Sequence, residues 1–365
     1  MSTTDLAADL AADPAGEPDL IDRLTGFGPG HPLTALRAQR GEVRFRTQAA
    51  HDALLSPSHP GALPAAERAA AAARLAILNG DAALLAHYAA LAGEATARPA
   101  VLAHVERVTR SPRDSAPEHL AALVAAGLDE HAIVALSQLI ALVNYQARLL
   151  AGLRALAGQR TGSGLAEETV SSDWRPVAGE RPFTTATLDW LPWIAPVDLD
   201  RASAAQREAL AVTPSNTQVG AYSLVLAHEP EALLHRTPLF NGIMYAPRGL
   251  PRAERELATA VESVLNGCVY CASVHARRFV ELTGEGDLIG RFFTEGPAVF
   301  TDPRWRAIVD AATRLSRTPA VFAAADVERL RGVGLADLEI LDLILAVAIF
   351  AWANRLMLSL GEPAD

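Results

Sequence analysis

The chain of 365 residues contains two cysteines, and both lie in one short run, Asn266-Gly267-Cys268-Val269-Tyr270-Cys271, with His275 four residues further on and Glu256 upstream. Those residue types at that spacing can do thiol chemistry. On a helix Cys268, Cys271 and His275 stand at i, i+3 and i+7 and share one face. Cys271 and His275 are one turn apart, close enough for an imidazole to take the thiol proton. A free thiol has a pKa of about 8.5, and the partial positive charge of a helix N-terminus favours the thiolate. A second sulfur one turn away can resolve an oxidised first sulfur as a disulfide. Glu256 can accept a hydrogen bond from His275 and fix its tautomer. Two other readings of the same residues stay open. The cysteines can be small apolar packing residues, or C-x2-C-x3-H can supply three zinc ligands, with Glu256 or a distant histidine as the fourth.

The elements that must position these side chains can be read around them. The run from about Arg252 to Leu265 has neither Gly nor Pro and predicts a helix, which Asn266-Gly267 closes. A second apolar-rich run, Cys268 to Leu282, then begins with the cysteines in its first turns. Upstream, Leu233 to Tyr245 predicts an apolar helix from which His235, Phe240, Asn241 and Tyr245 can line a pocket. The last apolar run, Leu338 to Leu360, carries Trp352, Asn354 and Arg355 near its end. From Leu20 onward, Ala- and Leu-rich stretches alternate with Gly, Pro and Ser, and the β-branched alternation of strands is scarce. The fold class expected is all-α.

Half the residues are hydrophobic and the formal net charge is −10, with all 32 basic residues arginine. That balance argues against nucleic acid or an anionic membrane as partner. Met1 to Asp19 is acidic, without the basic start and apolar core of a signal peptide, and is expected to be a disordered leader. No apolar run reaches the length of a membrane span; Ile340 to Trp352 comes nearest and contains Asp342. With no secretory route, a lone C-x-x-C points to a cytoplasmic redox or metal site rather than a structural staple.

The chain also repeats itself. Leu63–Tyr88 aligns with Leu250–His275 at a constant offset of 187, with ten identities in 26 positions that include Leu-Pro, Glu-Arg and Leu-Asn-Gly. A second block, Thr109-Arg-Ser-Pro112 through Arg148-Leu149, aligns with Ser316-Arg-Thr-Pro319 through Arg355-Leu356 at an offset of 207. The second copy therefore carries twenty extra residues, expected between Glu281 and Thr313. At the 187 offset Glu256, Cys268, Cys271 and His275 face Ala69, Asp81, Leu84 and Tyr88, so the first copy lacks the thiols and their base. The expected organisation is a leader (1–19), a helical domain without cysteines (20–157), a Gly- and Ser-rich linker (158–182) and a helical domain with the C-x-x-C (183–365). Trp190 and Trp193, in an extended Pro-containing segment, are expected to anchor the linker to a domain surface.

At Glu256, Cys268, Cys271 and His275 the sequence resembles the carboxymuconolactone decarboxylase / alkylhydroperoxidase D superfamily. Its peroxidase branch has a glutamate twelve residues before the first Cys of C-x-x-C-x-x-x-H. Asn266 and Tyr270 match the peroxidase-related subgroup. Alkylhydroperoxidase D proteins often have a second histidine between the cysteines; here Tyr270 stands there, so a relay through it does not carry over. The decarboxylase branch lacks the paired cysteines. The resemblance implies two tandem alkylhydroperoxidase D-like domains, the first degenerate, and a homo-oligomer, trimer or dimer. It implies a dithiol peroxidase in which Cys271 attacks, Cys268 resolves, and His275 acts as base with Glu256 behind it. No cofactor or metal is required, and the partners are a peroxide and a dithiol or thiol–disulfide reductant protein. A thiol–disulfide adaptor serving another peroxidase, or a non-catalytic zinc or scaffold protein, are the alternatives. In the family the helix upstream of the motif packs beside the cysteine helix. Asn354-Arg355 resembles a recurring Asn-Arg pair, and because Arg148 repeats that arginine in the copy without cysteines, a structural ion-pair role is expected for both.

Overall fold

The computed structural model describes residues 18–159, 181–211 and 219–364. The expected leader and linker lie almost wholly outside the described residues. Asp19, at the leader's edge, is anchored: it caps the first helix through Asp22 N and pairs with Arg37 and Arg44.

The first half runs through α1 (Leu20–Thr25), α2 (Pro32–Ala38), α3 (Gly41–Leu55), α4 (Ala65–Leu78), α5 (Ala82–Ala92), α6 (Pro99–Arg110), α7 (Pro117–Ala125) and α8 (Glu130–Leu156). The second half has a short strand β1 (Asp189–Pro192), then α9 (Ala204–Ala211), α10 (Ala221–Leu226), α11 (Pro230–Met244), α12 (Arg252–Asn266) and α13 (Val269–Thr283). It continues with α14 (Gly286–Glu295), α15 (Pro303–Ser316), α16 (Ala324–Gly332), α17 (Asp337–Leu360) and a second strand β2 (Gly361–Ala364). The protein is all-α. Start signals recur along it: Pro in the first turn of α2, α6, α7, α11 and α15, and aspartate caps at Asp81, Asp129 and Asp302.

The helices follow the offsets found in the sequence. Starts of α4 and α12, and of α5 and α13, differ by 187, while those of α7 and α16, and of α8 and α17, differ by 207. The insertion responsible is α14 with the 3₁₀ turn Pro297–Val299, between α13 and α15. At the centre α8 packs along α17, each buried over nearly its whole length. A helix apolar on every side must be enclosed. Both are long and apolar enough to cross a membrane by length and composition, longer than the sequence runs suggested, yet here other helices enclose them. Gly152 permits their close approach, since a Cβ there would lie 2.4 Å from Ile344 Cγ2.

The halves exchange equivalent contacts. Arg148 of α8 donates to Ser316 O (3.1 Å) and Thr318 Oγ1 (2.7 Å) of the second half, and Arg355 of α17 donates to Thr109 O (3.1 Å) of the first. Residues 207 apart thus meet each other reciprocally, as in two-fold packing. The α3 helix packs against its counterpart α11 in the same manner. Trp352 Nε1 adds a cross-half bond to Gln138 Oε1 at 2.8 Å.

Three details depart from the sequence expectations. A two-stranded antiparallel ribbon joins β1 to β2, with Trp190 opposite Pro363. Prolines on both strands suit a ribbon that is all edge. Trp190 is buried there, donating to Met357 O, edge-on to Tyr222. Second, α11 packs chiefly on α3 of the first half and not on the cysteine helix. Third, the Asn-Arg arginine is not an ion-pair residue in the simple sense. Arg355 spends its bonds on the carbonyls of Ala351 and Thr109, while Arg148 comes within 3.9 Å of Glu262.

Candidate active site

The α12 helix ends where Gly267 takes φ 77°, a left-handed cap that a β-carbon would strain and that turns the chain at once into α13. Cys268 becomes the residue that caps α13, and Cys271 lies in its first turn. The tight turn folds α13 back along α12, so a residue early in α12 faces one in the second turn of α13. Glu256 and His275 meet in this way: His275 Nδ1 is 2.5 Å from Glu256 Oε2. The other carboxylate oxygen accepts from Arg252, one turn earlier on α12. Burial pushes the Glu256 carboxyl up in pKa, but His275 and Arg252 more than reverse this and hold it below the usual carboxylate range. An ionised Glu256 requires the proton on Nδ1, which leaves Nε2 as the basic nitrogen of the ring. Phe350 of α17 packs edge-on against the imidazole with centroids 4.3 Å apart, holding it in place.

The two sulfurs have different surroundings. Both are reduced and buried, Cys268 at 1% and Cys271 at 5% exposure. A cavity of about 640 Å³ opens beside them, walled by Cys271, His275, Glu256, Tyr222, Arg236 and Phe350 among others. Cys268 is not in its wall. It sits behind Cys271, where burial first, and then the neighbouring Cys271 sulfur, push its thiol well above the ordinary range, opposed by the Asn354 side chain. Asn354 is itself fixed: its Nδ2 donates to Ser263 Oγ (3.1 Å) and its Oδ1 accepts from Asn266 Nδ2 (3.1 Å), which also reaches Glu262.

Residues 230–314 match the sequence model of the Carboxymuconolactone decarboxylase family. All four motif residues lie inside that span. Among solved structures, an uncharacterized peroxidase-related protein from Silicibacter sp. TM1040 is similar at 25% identity, with 44% of this chain and 86% of that chain covered and a TM-score of 0.38. No curated protein matches the chain.

Every described residue walling the cavity comes from position 220 or later, so among the described residues the matched segment, α10 and α17 build the site without the first half. The first half's equivalents show why it forms none. Asp81 caps α5 and pairs with Arg154, Leu84 is fully buried, and Tyr88, in the place of His275, is fully buried with its hydroxyl donating to Gln146. Of the other pocket candidates, Phe240 and Tyr245 do line the cavity, whereas His235 and Asn241 do not. His235 instead bonds Arg46 of α3 at 3.1 Å. The sequence reading missed Arg252, Tyr222, Arg236 and Phe350 as cavity residues. Arg252 carried a readable signal, being four residues before Glu256 on one helix face. The other three are brought in by tertiary packing from α10, α11 and α17 and had no spacing to betray them. Among the described residues no three His, Cys, Asp or Glu side chains gather as a metal would need, so the zinc reading has no ligand set there.

Proposed function

We propose that the protein is a dithiol peroxidase that reduces hydrogen peroxide or organic hydroperoxides. The observation that carries this reading is the asymmetry of the sulfurs: Cys271 opens on the cavity and Cys268 lies buried directly behind it. His275 Nε2, left free to accept because Nδ1 is held by Glu256, takes the Cys271 proton. The thiolate attacks the peroxide oxygen, the O–O bond breaks, and the imidazolium gives its proton to the departing alkoxide. Thiol and hydroperoxide thus become sulfenic acid and alcohol. The Cys268 thiol then displaces water from the sulfenic acid and forms the disulfide. An external dithiol returns both cysteines to thiols and leaves as its own disulfide. The paired cysteines distinguish the site from the lactone chemistry in the family's name, which does not call for two thiols.

The test is peroxide consumption by the purified protein with a dithiol reductant. We expect turnover in the wild type and its loss in Cys271→Ser. In the absence of reductant, Cys268→Ser should consume one equivalent of peroxide and stop as a sulfenic acid that a carbon-nucleophile reagent traps at Cys271. Turnover intact in Cys271→Ser but abolished in Cys268→Ser would refute the assignment. No turnover at all, with the disulfide still forming and reducing readily, would instead support the electron-carrier reading.

A further inference from the structure

The structure assigns Arg236 as a carboxylate-binding residue of the cavity, which makes the preferred substrate a hydroperoxide bearing a carboxylate at the end of an apolar body. This rests on the peroxidase reading for the reaction, but not for the binding. Arg236 lies on α11, 8% exposed, in the cavity wall. Every other buried arginine among the described residues meets a carboxylate or a backbone carbonyl. Arg37 meets Asp19 and Asp22, Arg40 and Arg255 meet Asp342, Arg68 meets Glu229, and Arg355 meets Thr109 O. Arg236 meets neither. Its Nη2 donates to the Tyr222 hydroxyl at 3.2 Å, its Nε has no partner, and its plane lies over the rings of Tyr222 and Phe240, 5.4 and 5.6 Å from their centroids.

A buried guanidinium without an anion is costly, because burial removes water that nothing replaces. The aromatic faces return part of that cost and fix the orientation of the fork. What the fork still lacks is a planar anion, and a carboxylate fits it with charge-assisted bonds.

The whole cavity shares this bias. Among the described residues four arginines and two glutamates line it. Both glutamates are taken, Glu256 by Arg252 and Glu281 by Arg278. Arg277, also in the wall, donates only to Thr187 Oγ1 and Thr185 O. A cavity with two unmatched cations on a chain of net charge −10 concentrates anions from solution. Phe240, Val274, Phe350, Ala353 and Met357 give the cavity an apolar side, beside the hydroxyls of Ser223, Thr237 and the tyrosines. A single buried cation beside an apolar wall suits a singly charged amphiphile, not a polyanion or free peroxide.

Two pairs of probes test this. The first is the hydroperoxide of a medium-chain fatty acid against its methyl ester, with a dithiol reductant at low salt. We expect kcat/KM for the acid to exceed that for the ester by about tenfold to a hundredfold, the span of one charge-assisted bond. Arg236→Met should bring the ratio near one, and Arg236→Lys should restore part of it. The second pair, decanoate against methyl decanoate, is read by calorimetric binding and needs no turnover. Decanoate should bind the wild type and lose at least tenfold in affinity in Arg236→Met, with a thermal melt showing that variant folded. Equal rates for acid and ester in the wild type overturn carboxylate selection and leave the peroxidase reading standing. No consumption of either peroxide, with decanoate binding that depends on Arg236, refutes the peroxidase reading and keeps the anion site. Decanoate binding unchanged in Arg236→Met overturns the inference whatever the turnover; should that variant not fold, the wild-type comparisons decide.

Discussion

The contact between Glu256 and His275 yields the sharpest test of how the thiol is activated. Glu256→Gln keeps the shape and an oxygen that can still accept from Nδ1, so the ring stays oriented while the charge disappears. The contact is 2.5 Å long and the carboxylate is fully buried, so solvent screens it little. Hydrogen bonds to a charged group contribute roughly 1.5–3 kcal/mol and neutral ones roughly 0.5–1.5. The difference, about 1–1.5 kcal/mol, is stabilisation that the carboxylate gives the protonated ring and the amide does not, which is about tenfold in an equilibrium. The reactive thiolate–imidazolium pair should therefore be about tenfold less populated, and kcat/KM for peroxide at pH 7 should fall by about tenfold. Stopped-flow peroxide consumption across pH 6 to 10 separates charge from architecture. The gap between wild type and variant should narrow at alkaline pH, where hydroxide removes the thiol proton without help. Stability carries an independent signature. The Glu256 carboxyl is held below its usual range in the fold, so its contribution is present above about pH 4.5 and is lost as pH falls through the folded value. The stability gap between wild type and variant should therefore close in acid. A folded variant with unchanged kcat/KM at pH 7, or a loss that is the same at every pH, would refute the reasoning.

Other consequences follow from the core. His104 is fully buried, neither ring nitrogen has a partner, and burial lowers its pKa to about 4. The unfolded chain takes up that proton from about pH 6.5 downward while the folded one does not, so stability is lost as pH falls from about 6.5 towards 4. At pH 5 this one site costs about 2 kcal/mol. His104→Leu should remove that part of the acid slope in urea titrations at pH 7 and pH 5, and an unchanged slope would count against a neutral buried ring. Gly152→Ala should destabilise by roughly 1–3 kcal/mol, because the new methyl meets Ile344 where α8 crosses α17. A thermal melt within a degree of the wild type would show that the helices separate more easily than their packing implies.

Much of this organisation could be read from residue types and spacing, and the rest could not, for identifiable reasons. The uninterrupted run before Asn266-Gly267 marked α12 to within a residue, since a left-handed glycine cap is a local signal. The i, i+3, i+7 spacing placed Cys268, Cys271 and His275 together because they share one helix. Glu256 was accessible because a tight turn brings a residue early in α12 back alongside α13. Tyr222, Arg236 and Phe350 were hidden: each reaches the cavity from a different element, and nothing local marks a residue that long-range packing delivers. The β1–β2 ribbon was missed because four-residue strands containing proline look like loop. Its role is tertiary, pinning Trp190 beside Tyr222 and the end of α17.

The same distinction bears on why the half without cysteines matters to a site it does not line. Beneath Cys268 runs a buried polar chain: Asn354 to Ser263 and Asn266, and Asn266 to Glu262. Glu262 is fully buried, and burial raises its carboxyl pKa against the pull of Arg148 and Arg355. Arg148 belongs to the first half and reaches within 3.9 Å of that carboxylate while also holding Ser316 and Thr318 of the second. Without it, Glu262 would lose one of its two buried cations, and a buried carboxylate short of cations protonates or moves. Either response is passed through Asn266 to Asn354, the side chain that contacts the Cys268 sulfur. Among the described residues the first half therefore supplies no wall of the cavity, yet it contributes a charge to the network on which the buried cysteine rests. An aligned pair of thiols needs that network intact, which gives a physical reason for two halves built around a single site.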